Sequence, residues 1–296
     1  MNVNRDKQNI RVLGMIFSKD RAMQLDATLC SFYLHCQDPS LISLEVLYRA
    51  SGDHHEKQYR WLANHYPRIT FIPESDFKRQ LLTSILPNEY VLFLVDDNLF
   101  VRDFSLEQIT DLLTKYPDSL GYSLRLGINT THCYSYGCDQ ELPVFQEIEH
   151  GAMLYDWTTA RLDFAYALEV SSSCYRISDL YPLLQILPFS NPNTLEALLS
   201  TLRGNFLHKR HLICNKRTLT FCNPINKVQQ VFTQNRAGET FSYSAEDLSD
   251  LFDRCYRVDV RRYAGYLPKA CHEEVKLYFT SEHKDRRCLG WQKNMP

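Results

Sequence analysis

An unbroken apolar run, Tyr90 to Val95 (YVLFLV), leads straight into two carboxylates and an amide, Asp96-Asp97-Asn98. A strand with no polar residue on either side needs both faces covered, which is the position of a central strand in a helix-flanked parallel sheet. Such sheets bind ligands beyond the carboxyl ends of their strands. The two acids therefore stand where a ligand would sit. Two carboxylates at a buried strand end repel each other and lose solvation. A divalent cation is the simplest counter-charge, and oxygen ligands suit Mg2+ or Mn2+, which keep coordination positions for phosphate oxygens. A solvated strand-end turn with a helix cap is the other reading of the same residues.

The surrounding pattern supports the sheet. Ile10 to Phe17 is β-rich and ends in Ser18-Lys19-Asp20-Arg21, after which a helix pattern begins near Ala22. Leu44 to Arg49 predicts a second strand, followed by a loop, Ala50 to His55, that holds Gly52 and Asp53. Lys57 to Tyr66 reads as a helix stopped by Pro67, Ile69 to Ile72 as a third strand, and Asp76 to Leu86 as a helix stopped by Pro87. The order β-α-β-α-β-α-β implies right-handed crossovers and a parallel sheet. Its three polar strand ends, Ser18 to Arg21, Ser51 to His54 and Asp96 to Asn98, are expected to converge on one crevice.

Further on, Leu120 to Leu126 predicts a strand with Arg125 at its end. A guanidinium there matches a phosphate, and equally a neighbouring acid. Ile177 to Leu187 reads as a helix. Asn193 or Thr194 is expected to cap a helix from near Leu195, and Ser244 to cap Ala245 to Cys255. No repeat, low-complexity tract or flexible linker interrupts the chain, so 1–296 is expected to form a single domain.

Charge excludes one class of partner. Lys plus Arg is 33 and Asp plus Glu is 35, a net charge of −2, which offers no basic face to a nucleic-acid backbone. The ten cysteines include no Cys-x2-Cys pair, and His208, His211 and Cys214 match ligand spacing only loosely. With Met1 to Gln8 polar, no secretory signal is expected, and the cysteines are expected to be free thiols of a cytoplasmic protein. No apolar run is long enough to span a bilayer, which leaves peripheral membrane contact open.

The apolar strand ending in Asp96-Asp97-Asn98 resembles the DXD-type motif of GT-A glycosyltransferases, with Asn98 where the common pattern has a second Asp. The resemblance implies an α/β, Rossmann-like GT-A fold: a mixed, mainly parallel sheet flanked by helices, with a nucleotide-sugar-binding half (1–119) and an elaborated acceptor-binding half (120–296). It implies an inverting, family-2-like, metal-dependent enzyme of glycan or polysaccharide synthesis. Such an enzyme passes a sugar from a nucleotide diphosphate to a hydroxyl acceptor. Asp97 becomes the expected ligand of Mn2+ or Mg2+, Asp96 a ligand of the ribose or of a metal-bound water, and His272 a further metal ligand. The loop Ser18-Lys19-Asp20-Arg21 is expected to touch the nucleotide, with Lys19 and Arg21 on phosphate and Asp20 on base or ribose. Asp53 is expected to contact the base. Helix capping is the alternative for Ser18 and Asp20, and a Gly-Asp turn for Asp53.

The same resemblance makes Glu196 the expected general base, which takes the acceptor hydroxyl proton as that oxygen attacks the anomeric carbon. Asp156 and Asp163 are the competing carboxylates. Trp157 is the best ring of an aromatic group for stacking on a sugar, Asp156 stands beside it in the acceptor region, and Lys227 is a weaker diphosphate candidate. Two rival readings stand beside this one. A nucleotidyltransferase acting on a sugar phosphate needs a Gly-rich loop near the N-terminus, whereas Gly14 stands alone. A non-catalytic binding protein on the same scaffold finds its support in Asn98.

Overall fold

A computed structural model of the chain describes residues 11–226, 236–241 and 243–281. The first part alternates: β1 (Val12–Lys19), α1 (Ala22–His35), β2 (Ile42–Arg49), α2 (Asp53–His65), β3 (Thr70–Pro73), α3 (Phe77–Ile85) and β4 (Tyr90–Val95). Then come β5 (Asn98–Phe100), α4 (Leu106–Lys115), β6 (Ser119–Ser123), β7 (His132–Cys133), β8 (Cys138–Asp139), β9 (Gln146–Glu147), β10 (Ala152–Asp156) and β11 (Ser173–Arg176). The rest comprises α5 (Ile177–Ile186), α6 (Pro192–Thr201), β12 (His211–Asn215), β13 (Thr220–Cys222), α7 (Ala245–Asp253), β14 (Tyr256–Val258) and β15 (Phe279–Ser281).

Nine strands form one sheet in the order β3-β2-β1-β4-β11-β6-β12-β10-β9. β3, β2, β1 and β4 are parallel, as the alternating pattern predicts. β11 enters antiparallel between β4 and β6, and β10 runs antiparallel to β12. The result is the mixed, mainly parallel, helix-flanked sheet that the resemblance implies, elaborated in its C-terminal half. β4 is central, and its side chains alternate between two cores. Leu92 and Leu94 pack on one face with α1 and α4, and Val91 and Phe93 on the other with α3 and α5. Both faces are dry, which is why the strand carries no polar residue. The lone Gly14 is a packing position, since a Cβ there would lie 2.4 Å from Leu44 Cδ2.

Two boundaries differ from expectation at functional positions. α2 starts at Asp53, not near Lys57, because extended Gly52 forms its N-cap and Asp53 and Glu56 favour its first turn. α6 starts at Pro192, not near Leu195. The Asn191 side chain accepts the Thr194 N–H at 2.9 Å, Thr194 Oγ1 accepts the Asn191 N–H at 3.1 Å, and Pro192 is preset for the first helical position. Glu196 therefore lies in the second turn, beyond the stabilising reach of the helix N-terminus that first-turn placement would supply.

Candidate active site

The ends of β1 and β4 meet around Asp96. One carboxylate oxygen accepts the Ser18 hydroxyl at 2.9 Å and the Lys19 N–H at 3.2 Å, and the other accepts Arg21 Nη1 at 3.0 Å. The same Nη1 reaches Asp97 Oδ2 at 3.2 Å, while Nη2 donates to the Asn226 carbonyl at 2.7 Å. The counter-charge between the two acids is thus supplied by the chain itself. Burial pushes Asp96 up to about 6 against the pull of Arg21, so it is ionised at neutral pH. Tyr59, fully buried on α2, shares a 2.7 Å hydrogen bond with Ser18 and fixes this corner from behind.

Asn98 is not part of the crevice. Its side chain is buried, accepts the Val95 N–H at 2.8 Å and donates to Cys222 Sγ at 3.4 Å, so it closes the turn from β4 into β5. Thr28 of α1 donates to the carbonyls of both Asp96 and Asn98. The Asp97 carbonyl accepts the Asn223 N–H, and Cys222 forms a bridge with His272. That bridge brings His272 close enough to feel the charge of Asp97 on one side and of Arg125, Asp163 and Glu169 on the other. Burial and Arg125 hold the imidazole below its usual value, so it is neutral and able to act as a ligand.

Among the described residues, no three His, Cys, Asp or Glu side chains converge as a self-sufficient metal site. A hard divalent ion that arrives with a diphosphate needs only one or two protein ligands. Asp97 Oδ1 and the His272 ring make no hydrogen bond among the described residues, so these two groups fit such an ion.

The second cluster lies beyond His272. Arg125 is almost fully buried just past β6. Its Nη1 lies 3.8 Å from Glu169 Oε2 and donates to Ser171 Oγ at 3.0 Å, so the group it meets is the neighbouring acid, the alternative to the expected phosphate. Its Nε is buried and has no partner among the described residues. Glu196 Oε1 accepts the Val170 N–H at 3.2 Å. Burial pushes its carboxyl up to about 7, Glu169 adds to the rise, and Arg125 opposes it.

Other expected positions fall elsewhere. Asp20, at φ 55°, accepts the Ser51 N–H at 2.7 Å and the Ser51 hydroxyl at 2.6 Å, so it ties the loops after β1 and β2 together. Asp53 is exposed in the first turn of α2. Trp157 does not present a face to a sugar: it is buried in the core, and its Nε1 donates to the Lys209 carbonyl at 2.8 Å. Asp156 is held by Arg210 and by the Thr158 N–H and hydroxyl rather than facing an acceptor. His211 pairs with Asp118 and Cys214 is buried among apolar side chains, so the His208-His211-Cys214 spacing is accidental. Lys227 lies outside the described residues. An open hollow of about 580 Å³ on the α3–α5 face, lined by Leu82, Leu86 and Tyr181, contains none of these groups.

Glu169 is a buried acid of this cluster that the sequence alone does not single out. Its signal is legible in hindsight: a Glu followed by Ser171-Ser172-Ser173 offers hydroxyl and N–H donors to its own carboxylate.

No family model matches the chain. Over 192 residues it is 29% identical to the bifunctional glycosyltransferase pgtA of Dictyostelium discoideum, a match that covers 59% of this chain. Over that stretch the chain resembles a glycosyltransferase in sequence. The match spans only 25% of the pgtA protein. Solved structures with a similar backbone include S. aureus TarS, at 12% identity and TM-score 0.48, covering 72% of this chain and 36% of that one. TarS 1-349 in complex with UDP aligns at 14% identity and TM-score 0.45, covering 81% and 72%. The mannosyltransferase PcManGT of Pyrobaculum calidifontis, in complex with GDP-Man and Mn2+, aligns at 14% and 0.40, covering 64% and 51%.

Proposed function

We propose that this chain is a glycosyltransferase that moves a sugar from a nucleotide diphosphate to a hydroxyl acceptor with inversion at the anomeric carbon. One observation carries the reading. A carboxyl pushed up to about 7, Glu196, lies beside the charges of Arg125 and Glu169, and His272 feels those two charges together with Asp97 of the cation-bridged pair of acids at the end of a central strand. A base poised near neutral pH is what removal of a hydroxyl proton needs. The pgtA relative, a bifunctional glycosyltransferase, points the same way.

In this mechanism Ser18, Lys19 and Arg21 form the nucleotide end, where Arg21, paired with Asp96 and Asp97, would add positive charge for the diphosphate. Asp97 and His272 would hold Mn2+ or Mg2+, which supplies charge neutralisation of the diphosphate leaving group. Glu196 accepts the acceptor proton. Arg125, close to Glu196, helps set its proton affinity. The surroundings of Asn98 remove the main support for a non-catalytic scaffold, because an inward-turned residue that closes a turn is not a lost ligand. A nucleotidyltransferase reading lacks its Gly-rich loop.

The test is nucleoside diphosphate release from a panel of UDP- and GDP-sugars, with and without Mn2+, for the native chain and Glu196→Gln. The variant is expected to bind donor like the native chain and to lose transfer by about a hundredfold or more, the usual range for a removed general base. Unchanged turnover would remove Glu196 from the mechanism.

A further inference from the structure

We infer that Glu169 is a positioning residue: its buried carboxylate fixes the segment 169–173 so that the Val170 N–H meets Glu196 and Arg125 is held against that segment. The inference rests on Glu196 as the general base. It adds a residue that neither the DXD-like motif nor the comparisons point to.

The geometry is that of a knot. Glu169 Oε2 accepts the Ser171 N–H and hydroxyl, each at 2.5 Å, and the Ser172 N–H at 3.0 Å. Oε1 accepts the Ser173 hydroxyl. All of these donors lie within four residues, so one carboxylate folds the chain into a tight loop just before β11. The Ser171 hydroxyl donates to Glu169 and accepts from Arg125 Nη1, so it relays the acid to the guanidinium. The backbone is fixed too, since Tyr175 donates to the Glu169 carbonyl at 2.8 Å and to the Ala167 carbonyl at 3.1 Å. The next peptide after Glu169 is the one whose N–H meets Glu196.

A charge this deeply buried is stable only with its full set of partners. Burial works against the Glu169 carboxylate, yet Arg125 and the serine donors hold it below the ordinary value. It is therefore a fixed negative charge beside Glu196. The other groups that face Glu196 are Tyr166, Tyr175 and Arg125, and neither tyrosine is ionised near neutral pH. Among the described residues, burial together with the charges of Arg125 and Glu169 sets when Glu196 gives up its proton.

The sign follows directly. Glu169→Gln removes a negative neighbour and leaves the positive charge of Arg125 uncompensated, and both changes favour ionised Glu196. Arg125→Met acts in the opposite direction. Two readouts separate this inference from the function it rests on. The first is the pH profile of transfer, whose acidic limb is expected to move down by roughly one pH unit in Glu169→Gln and up in Arg125→Met. The second needs no activity. It is the pH dependence of thermal unfolding, compared for each chain with and without Glu196→Gln, and the inflection assigned to Glu196 is expected to shift the same way.

If either variant fails to fold, the other decides. Inflections that stay in place while transfer falls would make Glu169 a structural residue only and overturn the inference. Shifted inflections in a chain that transfers no sugar would uphold the coupling and reject the glycosyltransferase reading.

Discussion

Arg21 faces two carboxylates with one nitrogen and a backbone carbonyl with another, and its Nε is buried and has no partner among the described residues. Removing one member of a buried ion pair leaves an uncompensated charge. Arg21→Ala is therefore expected to cost about 3 kcal/mol of stability and to abolish nucleotide binding. Denaturant unfolding checks the first part, and a loss below about 1 kcal/mol would mean the two acids are solvated, as an exposed pair would be. Glu196 makes a prediction of opposite character. Its folded value, about 7, is raised from the ordinary 4.5, so the protonated form is favoured in the folded state. Its contribution is fully present below about pH 4.5 and is lost as pH rises through 7. Glu196→Gln is therefore expected to match the native chain near pH 4 and to be more stable at pH 8, by on the order of 2 kcal/mol. Equal stability at both pH values would show an ordinary, solvated carboxyl. In the proposed mechanism Glu196 acts in its ionised form, so transfer is expected to rise over the same interval in which stability falls.

At the scale of elements, the site depends on where helices begin. α6 is aimed by its cap: Asn191 and Thr194 exchange hydrogen bonds, and Glu196 follows a few residues later. Asn191→Ala is expected to cost about 1 kcal/mol, as lost N-caps do. Because Glu196 lies one turn beyond the freed cap, transfer is expected to fall more than stability alone would require. Parallel kcat and melting measurements check this, and a variant with native kcat would show that α6 is held by packing alone. The central elements were legible in the sequence. β4 was read at both of its boundaries and α1 at its start, because continuous burial and an amphipathic face are local patterns. The start of α6 was read three residues late, at Leu195 in place of Pro192. The reason is that Asn191, Asn193 and Thr194 are all plausible caps, and only the folded chain shows which side chain meets which N–H.

For the whole molecule, the long sheet sets the two clusters on either side of His272, which feels the charges of both. Asp97 comes from the parallel half, while Arg125, Glu169 and Glu196 come from the half where β11 and β10 run antiparallel to their neighbours. Ligand binding should report on the assembled site. A nucleotide present at 100 times its dissociation constant is expected to stabilise the fold by about 2.7 kcal/mol. The part of that gain that needs Mn2+ or Mg2+ is expected to vanish in Asp97→Ala while the metal-free part remains. A thermal-shift series settles this, and an equal metal-dependent gain in the variant would assign the ion to other ligands.

The sequence by itself determined the parallel half of the sheet and the acidic strand end, while Glu196 became a candidate only through the family resemblance. The first two are written in residues close together along the chain: an apolar run and a pair of acids. Only the tertiary structure decided which polar residues are available for chemistry. Trp157 and Asp156 looked like acceptor groups and are held in the core and by Arg210. Asn98 looked like an altered ligand and closes a turn. Glu169 drew no attention and holds Arg125 beside Glu196. Burial, hydrogen-bond saturation and the pairing of distant charges fix these roles, and all three arise from contacts between residues far apart in the chain.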